Sequence, residues 1–259
     1  MVAHDPAEAM TFAALSIAGS DSSGGAGIQA DLAAFNAAGV HGATAITAVT
    51  AQNYAGVRAV QLMPPALVRM QIEAAFDERA VHAVKLGMLG NAGIVETVAA
   101  TLRQHRPRWL VIDPVMIASS GARLLDADAI GSVRRRLLPL ADCLVPNLDE
   151  AAVLLDMPRA CSETEMLAQG RALLALGARA VLMKGGHAPL PEAVDLLVTT
   201  EGSRRYAAPW IKDIDTHGTG CTLSAAITAG LARGLALVEA IDAAKRHLGV
   251  WLGGRLSRA

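Results

Sequence analysis

Short apolar runs alternate with segments of helical spacing along almost the whole chain, and no other feature limits the fold so sharply. Phe12–Ala18, Ala43–Val49, Ala83–Leu86, Trp109–Ile112, Asp142–Val145 and Ala180–Met183 read as buried strands. Helices are expected at Ile28–Phe35 (closed by Gly39), Ala66–Arg79 (opened by Pro64-Pro65), Ala92–Gln104, Ala127–Leu138, Glu150–Leu155 and Glu163–Leu176. Val57–Leu62 reads as a further strand after a turn, and Val194–Thr199 with Arg204–Ala207 as a hairpin around Glu201-Gly202. One helix follows from Cys221 and a last one from Val238. Strands alternating with helices build right-handed βαβ units. The expected fold is therefore α/β, a three-layer αβα domain around a mostly parallel sheet. No linker, repeat or low-complexity segment divides residues 1–259, of which residues 1–10 read as a loose tail.

Composition narrows the function. With 53% hydrophobic residues but 3% aromatics, a sizeable core must be filled by Ala, Val, Leu and Ile. A net charge of −1 gives no general pull toward nucleic acid or an anionic membrane, and Arg134-Arg135-Arg136 reads as a solvated helix face. Cys143, Cys161 and Cys221 are too scattered for a disulfide framework or a zinc site, which fits a reducing cytosol. No Lys or Arg precedes Arg58, so the apolar run at Phe12 lacks the basic start of a signal peptide. The uncharged stretch between Asp31 and Arg58 is too broken by Asn36, His41, Gln52 and Asn53 to span a bilayer. The expectation is a cytoplasmic protein with neither a nucleic-acid nor a membrane partner.

In a parallel sheet, ligands gather outside the carboxyl ends of the strands. Asp113, Asn147, Glu150 and Lys184 fall there. Taken singly, each is more simply a cap or a turn residue: Asn147 and Glu150 have capping-box spacing, and Asp113 before Pro114 starts a turn. Taken together, two carboxylates can hold Mg²⁺ through water and a lysine can bind phosphate as a point charge. Thr216-His-Gly-Thr-Gly-Cys221 then leads into a helix of small residues. Glycines before a helix start turn N–H groups toward one point, making an anion site with Cys221 at its rim. A thiol there is expected to have a lowered pKa and to serve as base or nucleophile. A glycine-capped turn before a buried helix with a core cysteine explains this stretch equally well. The combined inventory is what phosphoryl transfer needs, positioning plus neutralised charge.

The earlier loop, Gly19-Ser-Asp-Ser-Ser-Gly-Gly-Ala26, nearly spells a Walker A motif, but Gly25 and Ala26 stand where Lys and Ser/Thr are required. A glycine-rich turn without lysine suits close backbone approach to a flat, neutral ligand. Gln52 both donates and accepts hydrogen bonds from one amide, matching an aminopyrimidine edge, though a loop residue facing water is the simpler reading of it alone.

These motifs, in this order, resemble the bifunctional hydroxymethylpyrimidine/phosphomethylpyrimidine kinases of thiamine biosynthesis, within the ribokinase-like superfamily. The likeness runs through Ile17–Leu32, Ile46–Asn53, Val84–Met88, Asp113–Met116, Pro146–Glu150, Met183–His187 and Thr216–Thr222. It implies an ATP- and Mg²⁺-dependent enzyme that phosphorylates 4-amino-5-hydroxymethyl-2-methylpyrimidine and then its monophosphate. It implies a pyrimidine pocket of Gly19, Ala26, Thr50, Gln52, Met88 and Val115, and Mg²⁺ placed by Asp113 and Glu150. Asn147, Lys184 and Thr216 would serve ATP, Gly218, Thr219 and Gly220 the anion hole, and Cys221 would replace the Asp base of the sugar kinases. The superfamily likeness also implies a homodimer, with Val57–Leu62 a candidate contact.

The chain departs from the family at three places. Ser22 stands where the family loop carries Pro, a change expected to affect only loop stiffness. Thr50 stands where relatives often have Val. The glycine-rich tail ending near G-P-x-x-H is not found after Trp251. Two rival readings are a pyridoxal/pyridoxine kinase of the same fold and a non-catalytic pyrimidine sensor with a decayed kinase site.

Overall fold

A computed structural model of the chain describes residues 12–53, 56–118, 121–186, 190–211 and 216–256, with side chains to 254. The expected N-terminal tail lies outside the described residues. The elements run β1 (Ala13–Asp21), α1 (Gly27–Ala37), β2 (His41–Asn53), β3 (Gly56–Leu62), α2 (Pro65–Glu78), β4 (Ala83–Leu86), α3 (Ala92–His105) and β5 (Leu110–Ile112). They continue with α4 (Ala129–Ser132), β6 (Cys143–Leu144), α5 (Leu148–Leu155), α6 (Glu163–Ala175), β7 (Ala180–Lys184), β8 (Ala193–Thr199), β9 (Ser203–Ala208), α7 (Thr219–Ala232) and α8 (Leu237–Leu256).

The strands form one sheet in the order β3-β2-β1-β4-β5-β6-β7-β8-β9. From β2 to β7 the neighbours are parallel, whereas β3, β8 and β9 pair antiparallel at the edges. Alternate residues of the central strands feed opposite faces, which is why their sequences are continuously apolar. Leu15, Ile17, Val84, Leu86, Leu110 and Ile112 pack with α2 to α6. Ala14, Ala83, Val111 and Cys143 pack on the other face with α1, α7 and α8. Every residue of α7 from Thr222 to Ala232 is buried. Its small side chains permit this: a Cβ on Gly230 would lie 3.0 Å from that of Ala240 on α8. No helix among the described residues is long and apolar enough to cross a membrane.

Several elements differ from the sequence expectation, β2 among them, which runs His41–Asn53 rather than Ala43–Val49. The helix expected over 127–138 divides into α4, a π-helical turn at Val133–Leu137 and a 3-10 turn at Leu138–Leu140. Pro139 lacks an N–H and its ring crowds the carbonyl four residues back, so the regular helix stops short of it. The first strand runs three residues past Ala18, because β2 is long enough to keep pairing it through a register shift. That extension carries Gly19, Ser20 and Asp21 to the carboxyl edge of the sheet, at the point where the strand order reverses between β2 and β4.

Candidate active site

The carboxyl edge holds two groups of polar side chains. In the first, Lys184 ends β7 and donates from Nζ to Asp113 Oδ1 at 2.7 Å, with Glu150 Oε2 at 3.9 Å. Asp113 follows β5, and its other oxygen accepts the Ser224 hydroxyl at 3.1 Å. Glu150 sits one turn into α5 and makes a capping box. Its Oε2 accepts the Asn147 N–H at 2.7 Å, and Asn147 Oδ1 accepts the Glu150 N–H at 2.8 Å. Capping and site membership, alternatives in the sequence, coincide here. Because the cap consumes the Asn147 amide oxygen, its NH₂ is what remains for a ligand.

The charges are strongly coupled. Burial pushes the Glu150 carboxyl up to about 7, with Asp113 adding repulsion and Lys184 opposing. Burial also works against the Lys184 ammonium, but the two carboxylates outweigh it and hold its pKa above the ordinary lysine range. A Cβ on Gly220 would meet Lys184 Nζ at 3.2 Å and Asp113 Oδ2 at 3.7 Å. The start of α7 is therefore packed directly on this ion cluster, and glycine keeps it open.

The loop before α7 interlocks with the loop after β1. Gly218 has φ +80°, and a Cβ there would fall 1.8 Å from the Gly25 carbonyl. A non-glycine residue is excluded by both conformation and space. Thr219 directs its N–H at the Thr216 carbonyl (3.1 Å) and its hydroxyl to the same oxygen. Gly220 and Cys221, rather than Thr219, thus open the helix with backbone N–H groups that lack such a bond among the described residues.

Cys221 overturns one expectation. The thiol is not acidified by its place at a helix start. Burial pushes it up to about 11, with Asp31 and Asp113 adding negative charge, against Lys85 and the Gly27 N–H that bonds the sulfur. Desolvation of the thiolate, with the negative charge of Asp31 and Asp113, outweighs one helix dipole here.

The second group lies at the ends of β1 and β2. Gly19 and Met88 touch: a Cβ on Gly19 would lie 3.0 Å from Met88 Sδ. Ala26 donates its N–H to Asp21 Oδ2 at 2.8 Å. Thr50 turns its hydroxyl to the Ser20 carbonyl (3.0 Å), so the polar atom that distinguishes it from valine is used inside the strand pair. Val115 is partly buried and, with Gly87, Leu125 and Leu137, lines a small apolar cavity beside Pro114. Gln52 is half-buried. Ser22 does more than the stiffness effect expected of it. Its hydroxyl donates to the Gln52 carbonyl at 2.8 Å and accepts the Gln52 N–H at 2.9 Å.

Several residues had no role assigned from sequence. Asp21 accepts from Ser23 N (2.7 Å), Ser23 Oγ (2.8 Å) and Ala26 N (2.8 Å), with His217 Nε2 at 3.0 Å. Burial alone would raise its pKa, but the bonds from His217, Ser23 and Gln52 hold it at about 2. An aspartate in a Ser-Gly turn is a recognisable turn former, yet its link to His217 spans the whole chain. Lys85 and Asp31 are completely buried, with Nζ 2.9 Å from both carboxylate oxygens and Ser16 Oγ donating to Asp31 at 2.5 Å. Asp195 accepts the Gly185 N–H at 3.0 Å and the Lys245 ammonium at 2.7 Å, tying α8 to the turn after Lys184.

The chain that carries this ion cluster and glycine-opened helix is similar to known proteins. The family model described as phosphomethylpyrimidine kinase matches residues 21–253. The chain belongs to that family. A hydroxymethylpyrimidine/phosphomethylpyrimidine kinase of Salmonella typhimurium is 49% identical over 246 residues, covering 95% of this chain and 91% of the relative. Another, from Rhizobium meliloti, is 50% identical over 239 residues, covering 92% and 90%. Among solved structures, a phosphomethylpyrimidine kinase from Clostridium difficile superposes with a TM-score of 0.82 at 41% identity, covering 92% of this chain and 98% of that one. A Bacillus subtilis pyridoxal kinase in an ADP complex gives 0.84 at 38% identity, covering 91% and 89%. The αβα architecture is thus the ribokinase-like fold, and this phosphomethylpyrimidine kinase family member is a phosphotransferase.

Proposed function

We propose that the chain moves the γ-phosphoryl group of ATP to the hydroxyl of 4-amino-5-hydroxymethyl-2-methylpyrimidine, and then phosphorylates the monophosphate to the diphosphate for thiamine biosynthesis. The observation that carries this reading is Lys184 held between Asp113 and Glu150 against the start of α7. Lys184 meets the phosphates as a fixed positive charge, with the Asn147 amide and Thr216 alongside. The N–H groups of Gly220 and Cys221, opened by Gly218 and Thr219, face charge that develops on the transferred group. Gln52 takes the aminopyrimidine edge over the floor formed by Gly19 and Met88, with Ala26, Thr50 and Val115 around it.

Asp113 and Glu150 fit Mg²⁺. They are two hard oxygen donors rather than a cage, and the described residues contain no cluster of three or more ligating side chains. Mg²⁺ keeps much of its water and leans on phosphates, so two carboxylates suffice. Bound there, it would supply neutralisation of phosphate charge. In the first transfer the neutral hydroxyl must lose a proton, and Cys221 is the titratable group at the helix start that can take it. In the second, the acceptor is already anionic and no base is needed.

Assembly as a homodimer in the cytoplasm accords with this reading. Edge strand β3 leaves Arg58, Ala59, Val60 and Gln61 exposed, a surface suited to a second copy. Pyridoxal kinases among the structural neighbours make that heterocycle the competing substrate. An ADP-release assay with the pyrimidine alcohol, its monophosphate and pyridoxal, each with ATP and Mg²⁺, separates the possibilities. Turnover of the first two supports the proposal, and turnover of pyridoxal alone replaces it. Pyrimidine binding with no turnover would make the chain a sensor.

A further inference from the structure

We infer that Ser22 is a positioning residue that sets the aim of Gln52 and, through it, discrimination among heterocycles. The inference rests on the proposed role of Gln52 and adds a residue that touches no substrate itself. Beyond Asp21 the β1–β2 ladder has no further residue pair. The Ser22 hydroxyl takes the next place, donating to the Gln52 carbonyl at 2.8 Å and accepting the Gln52 N–H at 2.9 Å. One side chain thus mimics both bonds of a backbone partner.

The other flank of Gln52 is irregular. The β2–β3 pairing shifts between Ala51 and Gln52: Ala51 opposes Ala59 but Gln52 opposes Val57, so Arg58 is the extra residue of a bulge. Bulges re-aim the side chains next to them and loosen the ladder. Gln52 therefore stands where β3 holds the strand poorly, and Ser22 supplies its anchor on the β1 side. Thr50 makes the corresponding link one step earlier, to the Ser20 carbonyl. The strand ends are thus joined by side chains at Thr50 and Ser22, and Gln52 is the last residue so joined.

Both bonds are partly solvated, so losing them costs little stability but frees the peptide carrying the amide. A residue acting only on loop rigidity would alter the nucleotide and pyrimidine sides together. An aiming residue alters the pyrimidine alone. In S22A the Michaelis constant for the pyrimidine alcohol rises about five- to tenfold, corresponding to one lost net hydrogen bond. The constant for ATP stays within twofold, the preference over pyridoxal falls, and S22T restores wild-type values because it keeps the hydroxyl. Hydrogen exchange of the Gln52 amide, read without any substrate, gives the test that does not depend on the reaction. Exchange must speed up in S22A and recover in S22T. Unchanged exchange in a folded S22A protein, or equal rises in both Michaelis constants, overturns the inference. Faster exchange in S22A, together with a wild-type protein that fails to phosphorylate the pyrimidine, would overturn the assigned reaction while leaving the Ser22–Gln52 clasp standing.

Discussion

If Cys221 takes the proton in the first transfer, that step must depend on pH in a way the second does not. Burial holds the thiol near 11, so its basic form is scarce at neutrality. The sign follows: the thiolate is the competent form, a raised pKa depletes it, and activity climbs as pH rises toward that value. With a pKa of about 11, about one thiol in a thousand is ionised at pH 8, and the fraction grows tenfold per pH unit. Single-turnover transfer to the alcohol should therefore rise about a hundredfold from pH 7 to 9, while transfer to the monophosphate stays nearly flat over the same range. Rapid-quench assays with each acceptor, at saturating ATP and Mg²⁺, measure both limbs. Replacing Cys221 by Ala should flatten the first profile and slow it far more than the second. Parallel profiles for the two acceptors, or a slope that survives the substitution, would refute the base assignment and leave Cys221 as a positioning residue.

Lys184→Met removes the cation between Asp113 and Glu150. The lost charge-assisted bond, about 1.5–3 kcal/mol, should lower kcat/KM for ATP about 10- to 150-fold with little change in pyrimidine affinity by calorimetry. Lys85→Met strands Asp31 in the core and should cost about 3–5 kcal/mol in urea unfolding, whereas Asp31→Leu with Lys85→Met should regain most of it. A double variant as unstable as the summed singles would contradict that. Asp21 has a depressed pKa of about 2 in the folded chain against an ordinary 3.8, so its stabilisation is present above the ordinary value and lost as pH falls through about 2. The melting-temperature gap between wild type and Asp21→Asn should accordingly be widest above pH 4 and narrow below it.

The architecture was legible from local patterns, and tertiary packing decided the chemistry. The runs at Ala83–Leu86 and Trp109–Ile112 are short and, Lys85 apart, apolar at every position, so as strands they put apolar side chains on both faces and call for a sheet covered on both sides, as parallel sheets are. Such a sheet brings its strand ends together, which is why Asp113, Asn147, Glu150 and Lys184 were identifiable as neighbours before their distances were known. Periodicity over 127–138 points to a single helix, which the folded chain divides ahead of Pro139. Three features had no local signature. Lys85 and Asp31 are 54 positions apart, and Asp21 and His217 are separated by 196. Ser22 reaches Gln52 across 30 residues. The raised pKa of Cys221 lacks a local signature for the same reason. A helix dipole is local and can be read from Gly218 to Cys221, but the desolvation that overrides it, and the negative charge of Asp31 and Asp113, meet the sulfur only in the folded chain.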